Sequence, residues 1–132
     1  MPAKPKTVRR HINLPGRKTA LPFSDAVLAG DTLYLSGRIG IDPTTGVAPD
    51  DIGQELRLLF DGFEAVLREA GMGMDDLVWV QVHSPDISLW ERFNVEYLRR
   101  FSKELPARAF IGSGELLKGG RFEMMGVAVR RP

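Results

Sequence analysis

Asp51-Ile-Gly-Gln-Glu-Leu-Arg-Leu-Leu-Phe-Asp-Gly-Phe-Glu-Ala-Val-Leu-Arg-Glu-Ala-Gly71 is the stretch that decides the fold class. Ile52, Leu56, Leu59, Phe60, Phe63, Val66, Leu67 and Ala70 recur at steps of three and four, which gathers them into one apolar stripe on a helix. Pro49-Asp50-Asp51 opens that helix with acids at its positive end, and Gly71 closes it. Such a stripe must lie on something. The next segment supplies it, because Leu77 to Val82 is a nearly continuous apolar run and reads as a strand covered on both faces.

Before the helix, Ala26 to Ala29 and Thr32 to Ser36 flank Gly30-Asp31, a hairpin signal, and Val8 to Ile12 reads as a short edge strand. Asp42-Pro-Thr-Thr-Gly46 is a turn-rich loop. After Val82, Ser88 is placed to cap a second helix with Leu89, Phe93, Tyr97 and Phe101 as its apolar positions, ended by Pro106. Two more strands follow, Arg108 to Ser113 and Arg121 to Val129, with a turn at Gly119-Gly120. The order β-β-β-α-β-α-β-β predicts an α+β fold, a mixed β-sheet with both helices packed on one face. The other face then needs a cover, and with few residues left a second copy of the chain is the natural candidate.

Composition agrees with one domain spanning residues 1–132, of which 1–20 form a basic arm and edge strand. With 43% hydrophobic and 27% charged residues the chain reads as an ordinary globular protein. No apolar run approaches the ~20 residues of a membrane span, and no signal-peptide core opens the chain, so no membrane partner and a cytoplasmic location are expected. The absence of cysteine excludes disulfides, thiol nucleophiles and thiolate metal sites. His11 and His83 are the only histidines and lack ligand-spaced partners, so no metal site is expected. Six basic residues and no acid precede Asp25, leaving twelve basic against seventeen acidic residues in the body. That arm has no aromatic residue before Phe23 on which a base could stack, which argues against a nucleic-acid partner. The glycine-rich segment 112–120 lacks the Gly-Lys-Ser/Thr ending of a phosphate loop, and no nucleophile elbow is present.

Two charges stand among apolar neighbours in predicted strands. Arg108 lies in Leu105-Pro-Ala-Arg-Ala-Phe-Ile111, and Glu123 in Arg121-Phe-Glu-Met-Met-Gly-Val-Ala-Val129. A charge in such a place is costly unless it is paired, hydrogen-bonded or facing a cleft. A guanidinium fork matches a carboxylate, and a glutamate can hold and deprotonate a water. The pair therefore predicts a pocket for a small organic acid that undergoes hydrolysis. The structural alternative is a salt bridge from Arg108 to Glu123 or Glu104. Gly37, after Ser36, would let a ligand reach backbone amides or would merely allow a bend. Asn94 reads as a helix-surface or capping contact, and Tyr97 as core.

Leu21-Pro-Phe-Ser-Asp-Ala26, Leu35-Ser-Gly-Arg-Ile39, Asp42-Pro-Thr-Thr-Gly46, Phe93-Asn94, Pro106-Ala-Arg108 and Glu123 through Ala128-Val129 follow one another in an order and spacing that resemble the RidA family, the YjgF-type imine/enamine deaminases. The similarity runs from about Leu21 to Arg131. It implies a chorismate-mutase-like fold assembled as a homotrimer with clefts between subunits. It also implies hydrolysis of 2-imino acids and their enamine tautomers to 2-oxo acids and ammonia, without cofactor or metal. By this resemblance Arg108 would clamp the substrate carboxylate and Glu123 would orient the attacking water, helped by Ser36, Gly37 and Asn94. Phe23 and Phe110 stand where many deaminating members carry a tyrosine and a cysteine, which makes the cleft more apolar. They motivate the alternative, a non-catalytic trimeric binder or sensor of small carboxylates and 2-oxo acids.

Overall fold

The computed structural model describes residues 6–17 and 20–132, so Lys4 and Lys18 of the basic arm lie outside the described residues. Strands β1 (Arg9–Ile12), β2 (Ala26–Ala29) and β3 (Thr32–Arg38) precede α1 (Ile52–Glu69). Then come β4 (Leu77–Ser84), α2 (Trp90–Arg99), β5 (Ala107–Gly112) and β6 (Glu123–Val129). The six strands form one mixed sheet in the order β1-β2-β3-β6-β4-β5. All pairs are antiparallel except β4 with β5, which α2 joins as a crossover.

The first helix forms as its periodicity requires. The Asp51 carboxylate accepts the Gln54 N–H at 2.8 Å, which satisfies one free donor of the first turn. Gly71, at φ +71°, takes the left-handed position beyond the last turn. The stripe from Leu56 to Leu67 is buried against the sheet. Phe93 of α2 meets Phe60 at 5.5 Å and Phe122 at 5.4 Å between ring centroids, so the two helices and the sheet share one aromatic core. Phe60, Phe63, Phe93 and Phe122 are fully buried, and each contributes about 1.5–3 kcal/mol.

Three expectations are corrected. Ser88 does not cap α2. Asp86 accepts the Ser88 N–H at 3.0 Å and opens a 3₁₀ turn over Ile87–Leu89, because its carboxylate reaches the backbone two residues on. The segment between β5 and β6 is no hairpin turn, since β4 lies between those strands. The α2 crossover sets β5 on the outer edge of β4, and β6 takes the inner edge. Finally, β4 is covered on one face only. Val80 and Val82 are fully buried beneath the helices, whereas Val78 and Trp79 are exposed. Trp79 is level with Val127, and Val127 with Tyr34, so a row of apolar side chains crosses the helix-free face. Among the described residues no helix is long and apolar enough to cross a membrane.

Candidate functional site

Arg108 stands on the edge strand β5, level with Val80 of β4. Val80 faces the helices, so Arg108 and Phe110 point the same way, toward α2. The helical spacing of Trp90, Phe93, Asn94 and Tyr97 delivers those side chains to the guanidinium. Its Nη1 donates to Asn94 Oδ1 at 2.8 Å. Its Cζ lies 4.6 Å from the Tyr97 ring centroid, 5.6 Å from Phe93, and 5.9 Å from both Trp90 and Phe110. These faces attract the cation and hold the fork flat. Among the described residues no carboxylate lies within salt-bridge distance of Arg108, so neither Glu123 nor Glu104 neutralises it. A cavity of about 240 Å³ opens beside it, between Asn94, Leu98 and Leu105. The Tyr97 hydroxyl is buried there, near the Arg108 guanidinium and without a well-formed hydrogen bond among the described residues. Burial pushes that phenol above its ordinary pKa, opposed by the charge of Arg108.

Glu123 opens β6, level with His83 of β4 and therefore on the opposite face from Val82 and Met124, which are buried under the helices. Its carboxylate leans over Gly37 of β3. A Cβ at Gly37 would sit 2.2 Å from Glu123 Oε1, so the glycine is what admits the acid. A bulge between Leu35 and Arg38 places this glycine off the regular ladder. Glu123, Gly37, Ser36 and Phe23 line one cavity of about 470 Å³. The donors of Ser36 are already taken: its Oγ donates to Ser24 O at 2.6 Å and its N–H to Asp25 O at 3.0 Å. Ser36 thus secures the entry to β2.

The nearby latch was not legible as such in the sequence. Glu55 of α1 is fully buried and accepts the Arg121 N–H at 2.7 Å and Arg121 Nε at 2.6 Å. Arg121 also donates to the carbonyls of Pro49 and Asp50. This ties the residues just before Glu123 to the start of α1. Sequence reading also missed Leu21, Ile39 and Ile41, which wall the Glu123 cavity together with Leu117 and Lys118. Three loops bring them together, and no local period marks them. A larger neighbouring cavity of about 650 Å³ runs between Asn13, Arg17 and Ser24. Its cation is already occupied: Arg17 binds Asn13, the Phe23 carbonyl at 3.0 Å and Asp25 at 3.8 Å.

The predicted residues therefore fall into two groups. Phe23, Ser36, Gly37 and Glu123 meet on one side of the sheet, while Arg108, Asn94 and Phe110 meet on the other. Three residues along a strand and two strand spacings put the Arg108 and Glu123 Cα atoms roughly 14 Å apart. Asn94 serves Arg108, not Glu123. No single chain joins the fork to the acid.

The profile of the Endoribonuclease L-PSP family matches residues 15–130. The chain belongs to this family, the RidA or YjgF group. Among RidA relatives, the goat protein named 2-iminobutanoate/2-iminopropanoate deaminase is 34% identical over 127 residues, covering 95% of this chain and 93% of its own. The human protein of that name is 33% identical over 112 residues, covering 84% and 82%. The crystal structure of RidA from the Antarctic bacterium Psychrobacter sp. PAMC 21119 superposes with a TM-score of 0.83 at 28% identity, over 92% of this chain and 99% of that one. The E. coli YjgF gene product gives the same TM-score, identity and coverage. The mixed α+β architecture is that of RidA proteins.

Proposed function

We propose that this RidA protein is a homotrimer that hydrolyses 2-imino acids and their enamine tautomers to 2-oxo acids and ammonia, in clefts built from two subunits. The observation that carries this reading is the Arg108 fork, oriented by Asn94 and four aromatic rings and neutralised by no acid among the described residues. A guanidinium so prepared fits a substrate carboxylate, which it would take through two parallel hydrogen bonds. The names of the goat and human relatives support the chemistry. The bare row Tyr34-Val127-Trp79 and the placement of Arg108 and Glu123 on opposite faces support assembly, because a neighbouring copy can bring its fork to the acid. In this proposal the fold is the chorismate-mutase-like one, and three copies close the assembly.

In the proposed reaction the substrate enters as the iminium, R–C(=NH2⁺)–COO⁻. Glu123 accepts a proton from a water as its oxygen bonds to the iminium carbon, giving a neutral carbinolamine. The protonated Glu123 returns that proton to the amine. The C–N bond breaks, the hydroxyl proton leaves with the nitrogen as ammonium, and the C=O of the 2-oxo acid forms. An iminium is already electrophilic, so positioning and proton control suffice.

Arg108→Ala leaves the substrate carboxylate without its partner and should cost ~2–5 kcal/mol of transition-state binding, or about 1.5 to 3.7 decades in kcat/KM. The assay follows 2-oxo acid released from imines made in situ by an amino-acid oxidase. Activity within threefold of the parent refutes the clamp. A second reading, a carboxylate sensor without turnover, is favoured by the occupied donors of Ser36 and the missing hydroxyl at Phe23. Stoichiometric 2-oxo acid binding with no acceleration over buffer would establish it.

A further inference from the structure

We infer that the cavity beside Glu123 takes an apolar substrate side chain longer than an ethyl group, so that bulky aliphatic and aromatic 2-imino acids are the preferred substrates. This rests on the deaminase reading above and adds the substrate class to it. Exposed apolar residues scattered singly over a surface mean nothing, but here they converge. Leu21, Phe23, Ile41 and Leu117 are 46%, 49%, 37% and 76% exposed, and with Ile39 all five wall the cavity that Glu123 lines. Glu123 and Lys118 are the charged residues of this lining and the five aliphatic or aromatic side chains make up most of the rest, an arrangement that fixes a reacting centre and buries the remainder of a ligand.

Size is compatible with this. In a single chain the space measures about 470 Å³, of which the reacting centre, the attacking water and a neighbouring copy's fork take a part, and the apolar walls are left to the side chain. A short side chain would leave water against five hydrophobic walls, and a longer one would expel it.

The wall is also held before any ligand arrives. Gly120 presses on Ile39 so closely that a Cβ would lie 2.6 Å from Ile39 Cγ2. The Ala48 N–H donates to the Lys118 carbonyl at 2.9 Å, and Lys118 is fixed in the left-handed region at φ +59°. Behind it, Arg121 is bound to the buried Glu55. Leu117 therefore sits on an anchored turn, and little ordering opposes its contact with a ligand.

The test uses the full chain and straight-chain 2-imino acids generated by an L-amino-acid oxidase from alanine, 2-aminobutyrate, norvaline and norleucine, with semicarbazide trapping as the competing reaction. At ~0.8 kcal/mol per buried methylene, kcat/KM should rise about fourfold per carbon and roughly 60-fold across the series. Leu117→Ser, at an exposed position that the fold does not need, should flatten that slope. In parallel, calorimetry measures affinity for the matching 2-oxo acids, from pyruvate to 2-oxohexanoate. Turnover that is level or falls with chain length, with level affinities, overturns this inference and leaves the deaminase standing. Affinity that rises with chain length while no imine is turned over removes the deaminase and keeps the apolar pocket. Neither turnover nor binding overturns both.

Discussion

Removing the cation that faces Glu55 should be the most damaging single change outside the core. Glu55 is fully buried, and its two oxygens are satisfied by the Arg121 backbone N–H at 2.7 Å and the Arg121 Nε at 2.6 Å. Arg121→Met keeps the first bond and the apolar stem but deletes the second bond and the positive charge. It also strips donors from the carbonyls of Pro49 and Asp50. Breaking a buried pair in this way costs ~3–5 kcal/mol, because a desolvated charge is left behind. The Arg121 side chain is 26% exposed, so water can partly replace it, and about 2–4 kcal/mol is the expected loss. For a chain of this size each kcal/mol lowers Tm by about 3–5 °C, so the variant should melt about 6–20 °C below the parent. Circular dichroism measures it at one fixed protein concentration, because the Tm of the proposed assembly would move with concentration. The double replacement Glu55→Met with Arg121→Met removes the stranded charge and should recover more than half of the loss. Melting of Arg121→Met within 2 °C of the parent, or a double variant no more stable than the single one, would refute the latch.

Other expectations follow from single distances. Gly37→Ala would place a methyl 2.2 Å from Glu123 Oε1, so the acid must swing away; kcat/KM should drop at least tenfold while Tm moves by only a few degrees. Tyr97→Phe deletes a buried hydroxyl that makes no well-formed hydrogen bond among the described residues and only a weak contact with Arg108, so denaturant titration should show a change within about 1 kcal/mol, small for a buried substitution. Asp75 accepts from the Ser102 hydroxyl and from the N–H groups of Ser102 at 3.0 Å and Lys103 at 3.3 Å, which holds its carboxyl below the ordinary range. Its contribution is present above the unfolded-state value of about 3.9 and is lost as pH falls through the lower folded-state value. Asp75→Asn should thus be less stable than the parent near neutrality, with the gap closing toward acid in urea titrations.

Fold class was legible because helix and strand periods are local properties. The stripe from Ile52 to Ala70 needs only its own spacing to declare a helix, and the structure places α1 over Ile52–Glu69. The strand β6 was readable for the same reason, whereas α2 stops at Arg99, well before Pro106, and leaves Phe101 beyond its end. The strand order was not. Gly119-Gly120 looks like a hairpin turn from sequence, yet the pairing of β6 with β4 depends on which edge the α2 crossover leaves free. Arg108 and Glu123 announced themselves because charges among apolar strand residues demand an explanation. Their surroundings did not, since Asn94 and Tyr97 reach Arg108 from α2 and the walls around Glu123 come from three loops.

Sequence alone determined that this chain is a RidA-type α+β protein carrying a guanidinium and a carboxylate at strand positions that should be apolar. Only the tertiary structure decided that the two lie on opposite faces of the sheet, the fork under α2 and the acid over Gly37. The physical reason is the two-residue period of a strand. A shift of one position in register turns a side chain to the other face, and register is settled by long-range pairing that no local stretch of residues encodes.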